Sequence, residues 1–113
     1  MKVEIRAHGL ELTAGLRAHA EKRLHFGLDW ARHEVDKVKL RFSDINGPRG
    51  GADKLCRIVI QMKNRSIVME ELGDDMRRVI DRLTERVQYN VARQMDKIAR
   101  LIGAGAGEVV AAD

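Results

Sequence analysis

The chain has 113 residues, 44% hydrophobic and 34% charged, and its 21 Lys and Arg against 17 Asp and Glu give a formal net charge of +4. That describes one globular domain with a heavily charged surface; the excess is mild, so partners depend on where the charges lie rather than on their total. The lone cysteine, Cys56, excludes an internal disulfide framework, and no apolar run approaches membrane-spanning length.

Val3, Ile5 and Ala7 alternate with Lys2, Glu4, Arg6 and His8, which predicts a half-buried first strand. This start has no apolar core of a secretory signal, and a reducing cytoplasm is expected. Gly9 allows a turn. Thr13 is placed to cap a helix whose Leu12, Leu16, Ala20 and Leu24 share one face. Gly27 is expected to end or weaken that helix, and Trp30 to cover the core edge. Val38, Leu40 and Phe42 alternate with Lys37, Lys39 and Arg41 in a second strand. Asn46-Gly47-Pro48-Arg49-Gly50-Gly51 is a loop by composition. Cys56, Ile58, Ile60 and Met62 form the inward face of a third strand, with Cys56 as a small buried hydrophobe rather than a nucleophile. Lys63-Asn64 is a short turn, and Ile67 and Met69 mark a fourth strand.

Gly73 to Ile102 is the most regular segment. Met76, Val79, Ile80, Leu83, Val87, Val91, Met95, Ile98 and Ile102 recur at gaps that place them on one face of a single long helix. Asp74 and Asp75 are expected in its first turn, where acids suit the helix dipole. A second series, Arg78, Arg82, Arg86, Arg93, Lys97 and Arg100, runs along another face and is suited to track a polyanion such as RNA. Gly103-Ala104-Gly105-Ala106-Gly107 is expected to end the helix, leaving 103–113 as a flexible tail.

The element order is β-α-β-β-β-α, with residues 1–102 as one domain. Three consecutive strands form an antiparallel meander, and the first joins beside them after a helical crossover. The expected fold class is α/β (α+β), a two-layer sandwich whose four-stranded sheet has both helices on one face. A helix of about 30 residues spans about 45 Å, whereas a strand spans about 20 Å. The helix must overhang its sheet, and its C-terminal half either packs on the first helix or offers apolar surface to a partner.

The segment Leu12-Thr13-Ala14-Gly15-Leu16-Arg17-Ala18-His19-Ala20-Glu21-Lys22-Arg23-Leu24 resembles the first helix of the hibernation-promoting factor and ribosome-associated inhibitor A family (the sigma-54 modulation protein family). Asp75-Met76 followed by Ile80-Asp81, then Arg86-Val87 and Val91, are similar to its second helix, and Met1-Lys2-Val3-Glu4-Ile5 to its opening. The resemblance covers roughly residues 1 to 100. It implies the fold just derived, a partner in the small ribosomal subunit and its rRNA, and a role in blocking mRNA and tRNA at the decoding channel. It implies no cofactor and no membrane. Arg23, Arg86 and Arg93 fall on the family's basic positions, and Arg82 and Lys97 extend the same stripe. Arg49 is an auxiliary candidate for rRNA contact. Phe26 and Asp29 stand where similar proteins often carry lysine, Tyr89 where they are often basic, and Arg77 where they often have tyrosine. The likeness is to the short form, without the C-terminal domain by which long members pair ribosomes.

Plainer readings stand beside these. The stripe is also what a solvated helix face looks like, with Asp81, Glu85 and Asp96 available for i,i+4 pairs. The Pro48 loop lacks the Lys-Ser/Thr ending of a phosphate-binding loop, which favours a hairpin connection. Lys37, Lys39, Arg41 and Arg57 are expected to share the open sheet face with Arg6, a second basic surface whose default explanation is solvation and whose alternative is an RNA gripped from both sides. The four histidines, His8, His19, His25 and His33, show no metal spacing and read as surface or helix-end residues. No nucleophile, base and orienting group converge, so an enzyme is not expected. The alternatives in other classes are a protein-interaction module, self-associating weakly through Val91, Met95, Ile98 and Ile102, and a general binder of structured RNA.

Overall fold

Alternating strands and one long amphipathic helix assemble as their periods require. The computed structural model describes residues 1–45 and 53–110, with side chains through Leu101. Its elements are β1 (Lys2–His8), α1 (Ala14–Leu28), a 3-10 turn (Asp29–Ala31), β2 (Val35–Asp44), β3 (Lys54–Met62), β4 (Ser66–Gly73) and α2 (Met76–Val110). The sheet order is β1-β2-β3-β4. β1 runs parallel to β2, and the other two pairings are antiparallel. This is the β-α-β-β-β-α sandwich that the sequence predicts.

The register turns single-strand patterns into rows. Val3, Val38, Ile60 and Ile67 lie side by side across four strands, as do Ile5, Leu40, Ile58 and Met69. Side chains alternate with a period of two, so a slip of one residue would turn either row out to water. Phe42, Cys56, Ile58 and Ile60 are fully buried beneath the helices.

Both helices lie on that one face. The hydroxyl of Thr13 accepts the Leu16 N–H at 3.1 Å, the expected N-cap. Ala20, Leu24 and Leu28 face the sheet. Gly27 does not end α1, which runs one residue further before tightening into the 3-10 turn. The Trp30 indole N–H then donates to the Gly27 carbonyl at 2.7 Å, folding the turn back on the helix end and leaving the ring half exposed. Asp75 starts α2: its carboxylate accepts the Arg77 N–H at 2.9 Å and its carbonyl accepts the Val79 N–H at 2.9 Å. Just before it, a Cβ at Gly73 would lie 2.5 Å from Arg82 Nη2 and 2.7 Å from Val79 Cγ2, so a side chain there would displace both. His19 meets Asp81, Arg23 meets Glu85 and Gly27 packs on Gln88, so the two helices run parallel.

α2 overhangs the sheet. Arg65, in the β3–β4 turn, hydrogen-bonds Gln94 and marks where the sheet stops. The 15 residues from Asp96 to Val110 project about 22 Å at the usual rise of about 1.5 Å per residue. α1 ends beside Gln88 and does not reach it. Met95 and Ile98 are half-buried, and Leu101 is 68% exposed. Val91 is fully buried against the core, which removes it from the self-association surface expected with Met95, Ile98 and Ile102. The Gly103–Gly107 segment, expected to end the helix and begin a tail, is helical. Each glycine costs about 1 kcal/mol there, but the intervening alanines are the best helix formers and the helix is already nucleated.

Leu83 has no exposed surface and lies between both layers. Leu83→Ala should lower unfolding free energy by about 2–5 kcal/mol in urea titration. Burial pushes the Cys56 thiol up from 9.0 to about 12. It should therefore resist a thiol reagent at about pH 8 in the native protein and react in denaturant. The sign for stability follows: a raised thiol contributes fully below its ordinary value of 9.0 and loses that contribution as pH rises towards about 12. Lys54 adds to the same alkaline loss, because its hydrogen bonds to Asp44 and Asp53 raise its pKa from 10.5. Melting temperature should accordingly fall as pH is raised above about 9.

Candidate nucleic-acid interface

The predicted basic stripe forms along the solvent side of α2 and over the β4 edge, but its members differ in how free they are. At the N-terminal end the charges are tied to the sheet. Arg86 Nη1 donates to the Glu70 carbonyl at 2.8 Å and to Glu71 Oε1 at 3.0 Å. Arg82 Nη2 donates to the Leu72 carbonyl at 3.3 Å, with its Nε 3.9 Å from Glu71 Oε2. Both arginines keep half their side-chain surface exposed, while Glu71 keeps 21%. A guanidinium has five N–H donors in a fixed fork, so each retains donors for a further anion. Glu71 thus orients two arginines and offsets part of their charge.

Towards the C-terminal end the charges are freer. The Arg93 guanidinium carbon lies 5.9 Å from the centre of the Tyr89 ring, a cation–π contact, and Arg93 has no ion pair within 4 Å among the described residues. Lys97 at this end, and Arg78 in the first turn at the opposite end, are exposed and form no ion pair within 4 Å among the described residues. Arg100 pairs with Asp96 at 2.6 Å, the i,i+4 arrangement expected of Asp96.

Asp81 and Glu85 do not neutralise the stripe along α2; they turn to α1 instead. Asp81 Oδ1 is 2.8 Å from His19 Nε2 and 3.2 Å from Arg23 Nε, and Glu85 lies 3.9 Å from Arg23 Nη2. Arg23 therefore sits in the seam between the helices, with 31% of its side chain exposed. His19, expected on the surface or at a helix end, is a partner in that seam. Parallel packing explains both differences, because it sets residues four apart on α1 beside residues four apart on α2. Arg49 lies outside the described residues. The stripe thus brings together Arg82, Arg86, Arg93 and Lys97 on one flank and leaves Arg23 on the other.

Two contributors escape a reading of the stripe alone. Glu71 falls on the inward parity of β4 with Ile67 and Met69, and a carboxylate on the core side of a strand end is the signal that could have found it. Tyr89 is 68% exposed, and its partnership with Arg93 follows from their i,i+4 spacing. Among the described residues, no three His, Cys, Asp or Glu are grouped to hold a metal ion. No described helix is long and apolar enough to cross a membrane.

Comparison with known proteins bears on the fold and the family. A ribosomal subunit interface protein from Coxiella burnetii matches the structure with a TM-score of 0.74 and 21% sequence identity, covering 85% of this chain and 99% of its own. The Protein Y N-terminal domain of Thermus thermophilus matches with a TM-score of 0.68 and 23% identity, covering 82% of this chain and 98% of its own. At these identities the likeness concerns the fold. No curated protein sequence matches significantly. The family model described as Sigma 54 modulation protein / S30EA ribosomal protein matches residues 3–99, nearly the whole described domain, and the chain belongs to that family.

Proposed function

We propose that this protein is a ribosome-associated translation inhibitor that binds rRNA of the small subunit in the decoding channel and there excludes mRNA and tRNA. The observation that carries the reading is the flank of α2 on which Arg82, Arg86, Arg93 and Lys97 stand exposed and in line. Their span of 15 residues covers about 22 Å of helix, long enough to meet several backbone phosphates. Arginine suits such a contact, because its planar fork meets phosphate oxygens bidentately and stacks on bases. Family membership supports the ribosome as partner. Arg23 and Arg49 join as auxiliary contacts. The mechanism is occupancy: an electrostatically guided body fills space that mRNA and tRNA need, without catalysis or a cofactor, in the cytoplasm.

A second reading rests on the overhang, where Leu101 is exposed beside half-buried Ile98. A protein partner, or a second copy through Met95, Ile98 and Ile102, would cover that surface. Self-association insensitive to salt would favour it.

Charge reversal at two positions separates these readings. Arg86→Glu with Arg93→Glu should abolish co-sedimentation with small subunits while circular dichroism stays unchanged. Arg86 is half exposed, so losing its pair costs at most about 1 kcal/mol of stability. Undiminished affinity would reject the stripe. Bound tRNA should displace the parent protein, and binding should weaken steeply with salt as counterions are released. The tether makes its own prediction. Glu71→Gln removes the carboxylate beside Arg82 and Arg86, so ribosome affinity should rise and its salt dependence steepen in the same sedimentation series.

A further inference from the structure

The sheet face turned away from the helices carries a denser set of cations than the helix stripe, and fewer of them are neutralised. Lys2, Arg6, Lys37, Lys39, Arg41 and Arg57 project from it, against the two carboxylates Glu4 and Glu70. Register sharpens the pattern. Arg6 stands directly opposite Arg41, and Arg41 directly opposite Arg57. Neighbouring strands lie about 4.8 Å apart, so three guanidinium groups start within about 10 Å of one another. Like charges opposed across strands destabilise a sheet.

Little in the described structure relieves that repulsion. Arg57 has Glu70 at 3.6 Å. Glu4 is committed to Lys37 at 2.7 Å, and that hydrogen bond holds its carboxyl below the usual value of 4.5. Arg6, Lys39 and Arg41 have no carboxylate within 4 Å among the described residues. These three cations and Arg57 line a hollow together with Leu40, Val59 and one carboxylate, Glu4, which is already held by Lys37. On the helix layer, by contrast, Arg23, Arg82 and Arg86 each have an internal acid.

We propose that the open sheet face is a second polyanion-binding surface, on which Arg6, Lys39 and Arg41 contact the phosphodiester backbone of RNA. The inference rests on the reading that the protein binds rRNA, and it adds a grip on the layer opposite the stripe. Charge complementarity selects the occupant: a row of closely spaced cations on a regular sheet matches a chain of regularly spaced phosphates. No Phe, Tyr or Trp lies at an outward position of the strands. The face therefore has no aromatic platform for stacking bases, and it reads backbone rather than sequence.

The test is the triple variant Arg6→Gln, Lys39→Gln, Arg41→Gln. Binding is measured to protein-free small-subunit rRNA by fluorescence anisotropy and to intact small subunits by sedimentation, from about 50 to about 200 mM salt. The triple variant should bind both more weakly, with a slope of log affinity on log salt shallower by about 2–3. Its loss of affinity across that salt range should be smaller by about 20- to 40-fold. Its melting temperature should equal or exceed the parent's, because the row of like charges is gone. Arg6→Lys with Arg41→Lys, which keeps the charge, should keep the parent's slope. Parent-like affinity and slope in the triple variant, with binding lost in the Arg86→Glu, Arg93→Glu variant, would overturn this inference and leave the helix stripe as the site. Weakened binding to subunits with no change on protein-free rRNA would assign the face to an acidic protein and overturn it as well. Sheet-dependent binding of free rRNA by a protein that ignores intact subunits would support this surface while refuting the ribosomal reading. A parent that binds neither would refute both.

Discussion

The apolar rows that cross all four strands are covered chiefly by one face of α2, and the positions of the basic residues depend on how that helix is laid down. It is fixed at one end where Arg82 lies over Gly73 and reaches the Leu72 carbonyl. It is fixed near the other where Arg65 holds Gln94. Between these points Val79, Ile80, Leu83 and Val87 leave no surface to water. With its rotation set by burial, the helix has no freedom in where its remaining faces point. One flank must present Arg86 and Arg93, and the other must meet α1.

That constraint divides the electrostatics into three settings. In the seam between helices, Asp81 gathers His19 and Arg23 from the neighbouring helix, so charge there serves packing. At the β4 edge, Glu71 orients Arg82 and Arg86 while leaving half of each side chain in solvent. On the outer sheet face, cations are aligned by strand register, with few acids to offset them. A mild net charge of +4 therefore conceals two surfaces of concentrated positive charge. The molecule's extents of 61 × 23 × 18 Å keep both surfaces thinly separated along a rod.

Much of the fold is legible in the chain because local periodicity and burial agree. Val38, Leu40 and Phe42 can be inward only as alternate residues of a strand, and Thr13 and Asp75 sit where helices need acceptors for free N–H groups. Helix ends are less legible. Gly27 and the Gly103–Gly107 run are local signals for stopping, yet α1 runs one residue past the first, with Gly27 buried on the side of α2, and α2 continues through the second. Propensity amounts to about 1 kcal/mol per glycine, and helix propagation or packing exceeds it.

The candidate site divides along the same line. Sequence by itself determined which residues form the stripe, because three- and four-residue spacing is a property of the helix alone, and it determined that Arg6, Arg41 and Arg57 belong to strands with one face open. Only tertiary structure decided what each charge does. Asp81 and Glu85 fall within i,i+4 reach of stripe positions, but parallel helix packing assigns them to α1. Glu71 lies 15 residues before Arg86 and becomes its partner only when β4 is drawn under α2. The alignment of Arg6 with Arg41 and Arg57 exists only once three strands choose their register. Spacing along a chain encodes the face a residue shares, whereas the charge it meets across that face comes from segments distant in sequence, and folding alone brings them within Coulombic reach.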